Sequence, residues 1–220
     1  GGAVWSTPEV YRDVLYFGSL DKNIYAVSVK DTEKYRAGEL IWNFTTGGAI
    51  AASPLIDDGK VYIGSFDYGL YALDAMTGDP VWPEPFKADN WFWSKPVSDG
   101  TNVYAGSLDG NIYAIDSSTG NQIWPTPFKT EGPIVASPTL IPEGLVAASD
   151  DGNVYLIRLS DGREVRSFST EEKIRAPLIS LGSSVYLSDM GHILRSADLE
   201  DGFWRENWCY NTKEDNNMCD

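Results

Sequence analysis

One histidine and two cysteines among 220 residues leave this chain short of the side chains that most often move protons or hold metals. His192 has no second imidazole to work with and reads as a surface or packing residue. Cations are scarce too: 17 Lys and Arg stand against 32 Asp and Glu, for a formal charge of −15. A nucleic-acid partner, which needs clustered cations, is thereby set aside. No run of 18 apolar residues occurs, so no segment reads as a transmembrane helix. Nor is there a charged-then-apolar leader. The chain starts at Gly1-Gly2, as it would after removal of a signal or lipoprotein leader, and a lipid anchor upstream of Gly1 fits that start. Nowhere do apolar residues recur at 3.6-residue spacing, which argues against helical repeats.

What is present is apolar material in short runs. Hydrophobic residues make up 42% and aromatic residues 13%, against 22% charged, enough to offset chain entropy in a single domain. The 21 glycines and 12 prolines are spread along the sequence, the mark of many short elements joined by turns. Those elements repeat: VYIGSFDYGLYALDAMTGDPVW at 61–82 and VYAGSLDGNIYAIDSSTGNQIW at 103–124 superpose without a gap. An earlier copy from Leu15 carries an insertion, DTEKYRAGE, ahead of Leu40-Ile41-Trp42, and looser copies begin at Leu145 and Ser184. A proline leads each copy, at Pro8, Pro54, Pro96, Pro138 and Pro177.

Each copy holds four short apolar or alternating runs. In the second they are Ile50 to Ile56, Val61 to Ser65, Leu70 to Asp74 and Pro80 to Phe86, separated by turns bearing Asp and Gly. Asp67, Asp109 and Asp151 recur at one of these turns; turn chemistry accounts for them, and no metal is expected. A four-stranded antiparallel meander repeated in tandem predicts an all-β propeller of five blades. Their approximate bounds are 1–46, 47–89, 90–131, 132–170 and 171–208, and 209–220 is expected to be a polar C-terminal tail without strand pattern.

Ala72, Asp74, Thr77, Gly78 and Trp82, and again Ala114, Asp116, Thr119, Gly120 and Trp124, fit Ala-x-Asp-x-x-Thr-Gly-x-x-x-Trp, the blade motif of PQQ-like (quinoprotein-type) repeats. The chain resembles that family over nearly its whole length, and within it the non-enzymatic BamB-type propeller lipoproteins. The resemblance implies that Trp42, Trp82 and Trp124 dock between adjacent blades. It also raises the PQQ-dependent dehydrogenases, which are larger, eight-bladed rings with adjacent cysteines over the cofactor. Cys209 and Cys219 are not adjacent, and five blades leave a narrower centre. The expectation is therefore no enzyme, no catalytic residue and no cofactor. A quinoprotein-like fragment and a glycan-sensing propeller are the alternatives.

The most informative departure from the repeat is Asn90-Trp91-Phe92-Trp93-Ser94-Lys95, which replaces small residues found before Pro54 and Pro138. Alternation on an innermost strand places Trp91, Trp93 and Lys95 on one side. Trp5 is the equivalent of Trp93, and Lys173 and Arg175 occupy the corresponding places in the fifth blade. These six form the candidate partner-binding set, since exposed aromatic and basic groups favour protein interfaces. The competing reading is that the tryptophans plug the axis. Cys209 and Cys219 either close a disulfide over a short loop, implying an oxidising compartment, or remain free thiols in the tail. The expected role is an extracytoplasmic scaffold for a protein or peptide partner, acting as a monomer or within a larger complex.

Overall fold

The computed structural model describes residues 1–200 and 203–213. Among them the short apolar runs form strands and no helix. The first blade consists of β1 (Glu9–Tyr11), β2 (Val14–Gly18), β3 (Asn23–Ser28) and β4 (Leu40–Thr45), the second of β5 (Leu55–Asp57), β6 (Lys60–Gly64), β7 (Gly69–Asp74) and β8 (Phe86–Lys87). The third has β9 (Val97–Ser98), β10 (Asn102–Gly106), β11 (Asn111–Asp116) and β12 (Phe128–Lys129). The fourth has β13 (Thr139–Ile141), β14 (Gly144–Ala148), β15 (Asn153–Ile157) and β16 (Glu164–Ser169). The fifth has β17 (Ile179–Leu181), β18 (Ser184–Ser188), β19 (Ile193–Glu200) and β20 (Phe203–Asn211). Each set is a four-stranded antiparallel meander in chain order, and the fold is an all-β propeller of five blades.

By packing, the chain divides into two compact units, Gly1–Val103 with Ile115–Gln122, and Tyr104–Ala114 with Ile123–Asp220, so the division runs through the third sheet. The first unit has a core built on Tyr16, Ile24, Ile50, Val61, Ile63 and Leu73, the second on Val146, Val154, Leu156, Ile174, Val185 and Leu187. The burial pattern along the second strand of each blade records where sheets are covered. In β14 every residue is buried, while β2 and β18 alternate buried with half-buried positions. Strands covered on both faces lose the apolar–polar alternation that one-sided strands keep.

A shared turn links the second and third strands. Asp21, Asp67, Asp109 and Asp151 each accept the backbone amide two residues on and the hydroxyl of a tyrosine four residues on. The residue after each aspartate has positive φ: Lys22, Tyr68, Gly110 and Gly152, with His192 at the matching place in the fifth blade. At Lys22 and Tyr68 the preceding aspartate holds a non-glycine residue in that left-handed conformation, whereas at His192 Asp189, three residues earlier, accepts the Gly191 and Ile193 amides. Burial alone would raise the Asp67 pKa, but hydrogen bonds from Tyr71 and the Gly47 and Gly69 amides, with the nearby Lys87 charge, hold it below the usual carboxylate range. Burial and the Asp67 carboxylate push the Tyr71 hydroxyl well up.

Blades meet through one recurring joint. Trp42 Nε1–H donates to the Ala75 carbonyl (3.0 Å), Trp82 to Ser117 (3.2 Å) and Trp124 to Leu159 (2.8 Å). Each indole covers a left-handed glycine of the following blade: Gly78, Gly120 and Gly162, where an added Cβ would lie 2.7, 2.8 and 2.6 Å from the ring. A tyrosine leans on the same indole, Tyr16 on Trp42, Tyr62 on Trp82 and Tyr104 on Trp124, with centroids 5.9, 5.7 and 5.7 Å apart.

Three expectations need correction. The outermost strand of the second blade is Phe86–Lys87, joined to an isolated Leu73–Pro80 bridge, rather than Pro80 to Phe86. Pro83 and Pro85, lacking an N–H, break the ladder between them. Residues 90–96 are not strand; the innermost strand of the third blade is only Val97–Ser98. The supposed tail from Cys209 begins inside β20, and only 214–220 of it lies outside the described residues.

Candidate partner-binding surface

The first unit gathers the two tryptophans of the 90–95 segment with Trp5. Alternation holds although the segment is not a strand. Phe92 turns in and is buried, held over Gly64, whereas Trp91 is 37% exposed and Trp93 half-buried. Phe66, on the Asp67 turn of the preceding blade, stacks nearly parallel on Trp91 (centroids 4.2 Å, 9°) and on Trp93 (5.4 Å, 16°). Trp5, 64% exposed, meets Trp93 edge to face at 6.4 Å. Beside them Lys95 Nζ lies 2.5 Å from Glu9 Oε2 of β1, both side chains about one-third exposed at 34% and 38%. Four rings thus form one partly exposed apolar patch with an ion pair at its border.

In the second unit Lys173 and Arg175 do not stand free. Arg175 grips Asp150 with Nε at 2.9 Å and Nη2 at 2.6 Å, and Lys173 Nζ is 3.7 Å from the same carboxylate. The Asp150 side chain is 6% exposed, and its hydrogen bonds raise the Arg175 pKa further. Asp150 and Phe66 occupy the same position, the residue before the turn aspartate. Where the next blade brings Trp91 and Trp93, that position is Phe; where it brings Lys173 and Arg175, it is Asp.

The profile of the family described as outer membrane protein assembly factor BamB matches residues 34–202. The chain belongs to that BamB family. The crystal structure of BamB from Moraxella catarrhalis superposes with a TM-score of 0.75 at 23% identity, covering 94% of this chain and 62% of that one. The chain therefore spans less than two thirds of that BamB's length. A computationally designed protein, Ika8, superposes with a TM-score of 0.65 at 13% identity, over 92% of this chain and 73% of its own. No curated protein matches the sequence.

Within this BamB-family chain, sequence reasoning missed Phe66, Asp150 and Trp208. The first two sit one residue before the turn aspartates Asp67 and Asp151; the signal was that this position changes in step with the following blade's leading segment. A copy of the repeat read from Ser184 ends on Trp204, whereas the place of Trp42 falls to Trp208. The β19–β20 hairpin is longer, and its register sets Trp208 opposite Ser196 and Ser196 opposite Tyr186. Trp42, Ala26 and Tyr16 have the same relation in the first blade. Cys209 is buried in β20 and disulfide-bonded, while Cys219, the chain's only other cysteine, lies outside the described residues. Chemically, the aromatic patch can desolvate an apolar side chain against rigid rings. Lys95 and Glu9 can trade their mutual bond for bonds to a partner at modest cost, since a part-exposed pair is worth only about 0–1 kcal/mol.

Proposed function

We propose that the protein is a non-catalytic, extracytoplasmic propeller scaffold that holds a protein or peptide partner in outer-membrane protein assembly, and that the Trp5–Phe66–Trp91–Trp93 patch is where it holds it. Membership of the BamB family supports the process, and the disulfide-bonded Cys209 supports an oxidising compartment. A lipid-anchored precursor fits the same setting. The observation that carries the site is the four-ring patch, because aromatic anchors on rigid elements are where interface energy concentrates. Phe66 already stacks on both tryptophans, which favours side-chain insertion at the rim over the open parallel ring faces that sugars use.

The test is capture from an envelope extract with the native chain and a Trp91→Ala, Trp93→Ala variant, identification of what is retained, and titration of the purified partner. Truncating two anchors is expected to weaken binding by roughly thirtyfold or more. Phe92 is left in place to hold the segment, and circular dichroism checks folding. Equal affinity of a folded variant would move the site away from the patch. Quinone-dependent dye reduction by the native chain would overturn the non-catalytic reading.

A further inference from the structure

The insertion DTEKYRAGE serves neither the interblade joints nor the aromatic patch, yet it is built to a definite shape. In the second blade the turn after the third strand is tight, and the Asp74 carbonyl accepts the Gly78 amide four residues on. The matching bond in the first blade runs from the Gly38 amide to the Ser28 carbonyl, ten residues apart. The extra length folds on itself. Thr32 Oγ1 accepts the Lys34 and Tyr35 amides at 3.3 and 2.9 Å and donates to the Tyr35 carbonyl. Asp31 accepts the Ala37 amide at 3.0 Å, and Glu39 accepts the Arg36 amide at 2.8 Å. The loop is thereby preformed, with the Asp31 and Glu39 carboxylates turned onto its own backbone.

Between this loop and the second blade lies a cavity of about 290 Å³, all of it within the first unit. Strand register fixes where it opens. Val14 pairs with Ser28 on the face that also carries Tyr16 and Trp42, and those two side chains both reach the Ala75 carbonyl, at 2.9 and 3.0 Å. The cavity therefore sits where the first two blades are already joined, on the covered side of the first sheet. Buried Val14 and Ala75 with half-buried Ile41 give it an apolar floor, and exposed Met76 stands beside them. Arg12 and Lys34, both exposed, form its rim.

In a chain with a formal charge of −15, neither rim cation is ion-paired among the described residues. Each lies over a ring instead, Arg12 5.1 Å from the Tyr11 centroid and Lys34 4.9 Å from that of Tyr35. The one carboxylate in the lining, Asp13, is engaged by Lys30 at 2.6 Å. Arg12 and Asp13 hold φ of 46° and 65°, where Asp58 and Gly59 hold 44° and 70° in the second blade. Such a turn favours Asp-Gly, and its geometry has no use for a guanidinium. We propose that the pocket binds a carboxylate carried on a compact apolar body, with the anion between Arg12 and Lys34 and the apolar part against Val14, Ile41 and Met76. A free branched acid and the last residue of a peptide chain present that same chemistry, and the volume lies at the small end of ligand sites. None of the residues assigned to partner binding takes part.

Titration of the native chain with 4-methylpentanoate, and with an acetylated peptide ending in leucine, tests this by nuclear magnetic resonance. Saturable shifts are expected at the Val14, Ile41 and Met76 methyl groups. The neutral amide of each probe is expected to bind about tenfold more weakly, since it lacks the charge-assisted bonds to the rim. Replacing both cations, Arg12→Gln with Lys34→Gln, should cost the acids a similar factor and leave the amides unaffected. Met76→Glu sets a like charge in the opening and is expected to abolish binding of the acids; all three side chains are exposed, and circular dichroism checks folding. Binding of the free acid alone would make this a small-molecule site and of the peptide alone a chain-end site, and either sustains the carboxylate assignment. No saturable shift with either acid, equal affinity for acid and amide, or native affinity in the double variant would each overturn it.

Discussion

If the Trp82–Gly120 joint holds neighbouring blades, its two halves must be coupled, and a double-mutant cycle measures that coupling. Trp82 is 2% exposed, and truncating a buried tryptophan costs about 3–5 kcal/mol. The lost indole hydrogen bond adds little, since the Ser117 carbonyl keeps the Tyr62 hydroxyl at 3.4 Å. Gly120→Ala places a Cβ 2.8 Å from the Trp82 ring at a φ of +77°. Its cost is the left-handed strain of an L-residue, about 1–2 kcal/mol, plus displacement of the ring. With Trp82 already truncated, only the strain remains. Gly38→Ala isolates that strain, because Gly38 has nearly the same φ and open space where the ring would be.

Urea unfolding followed by circular dichroism, with calorimetry alongside, reads each corner of the cycle. Trp82→Ala is expected to lower the melting temperature by roughly 6–20 °C, at about 2–4 °C per kcal/mol for a chain of this size. Gly120→Ala should cost clearly more than Gly38→Ala, and the double variant should fall short of the sum of its singles by about 1–2 kcal/mol. Additivity within about 0.5 kcal/mol, or equal costs for the two glycine substitutions, would refute the joint as the source of cohesion.

Two pH effects follow from the same turns and joints. Burial first, then the Tyr11 and Asp74 charges, push the Tyr16 hydroxyl up to about 12, and burial does the same to Tyr62. A raised folded value means the stabilisation is complete below pH 10 and is lost as pH rises through 12; Tyr16→Phe should flatten that alkaline limb in a near-ultraviolet titration. At the other extreme, hydrogen bonds from Ser118 and Thr119 hold Asp116 at about 2 against an ordinary 3.8. A depressed folded value gives stability that is present above 3.8 and lost as pH falls through 2, so Asp116→Asn should leave the acid limb of a stability curve shallower, and an unchanged limb would exclude that turn as its cause.

The sequence carried the propeller because its repeat is written in residues that each have a local job. The aspartate that caps the turn, the glycine under the indole and the indole itself recur at fixed distances, and copies two and three keep all of them. Legibility failed where geometry depends on absent donors or on length. Pro83 and Pro85 stop a strand that hydrophobicity alone would continue, and the longer β19–β20 hairpin moves the fifth-blade tryptophan from Trp204 to Trp208. The candidate surface was half legible. Trp5, Trp91 and Trp93 stood out against small residues in sister blades, but their partner Phe66 lies on a turn about 25 residues earlier, and nothing local marks it. Lys173 and Arg175 read as available cations only because Asp150 comes from the preceding blade.

The paired exchange at that turn position explains how one scaffold can carry unlike surfaces without altering its blades. Leu20 precedes a blade whose leading segment has Ala49 and Ala51, and Leu108 precedes one with Pro133 and Val135. In both cases the corresponding positions hold small or compact side chains and an aliphatic one. Replacing the pair by Phe66 with two tryptophans leaves flat apolar area half in water, a cost that a surface does not keep for its own stability. Replacing it by Asp150 with Lys173 and Arg175 instead satisfies the charges internally and leaves little to offer a partner beyond long-range attraction. Salt separates the two cases. Raising ionic strength screens the Asp150 cluster, whose cations are about half exposed at 47% and 56%, but strengthens burial at the tryptophans. A partner held at the aromatic patch should therefore stay bound, or bind more tightly, in high salt, whereas one drawn to Lys173 and Arg175 should be released.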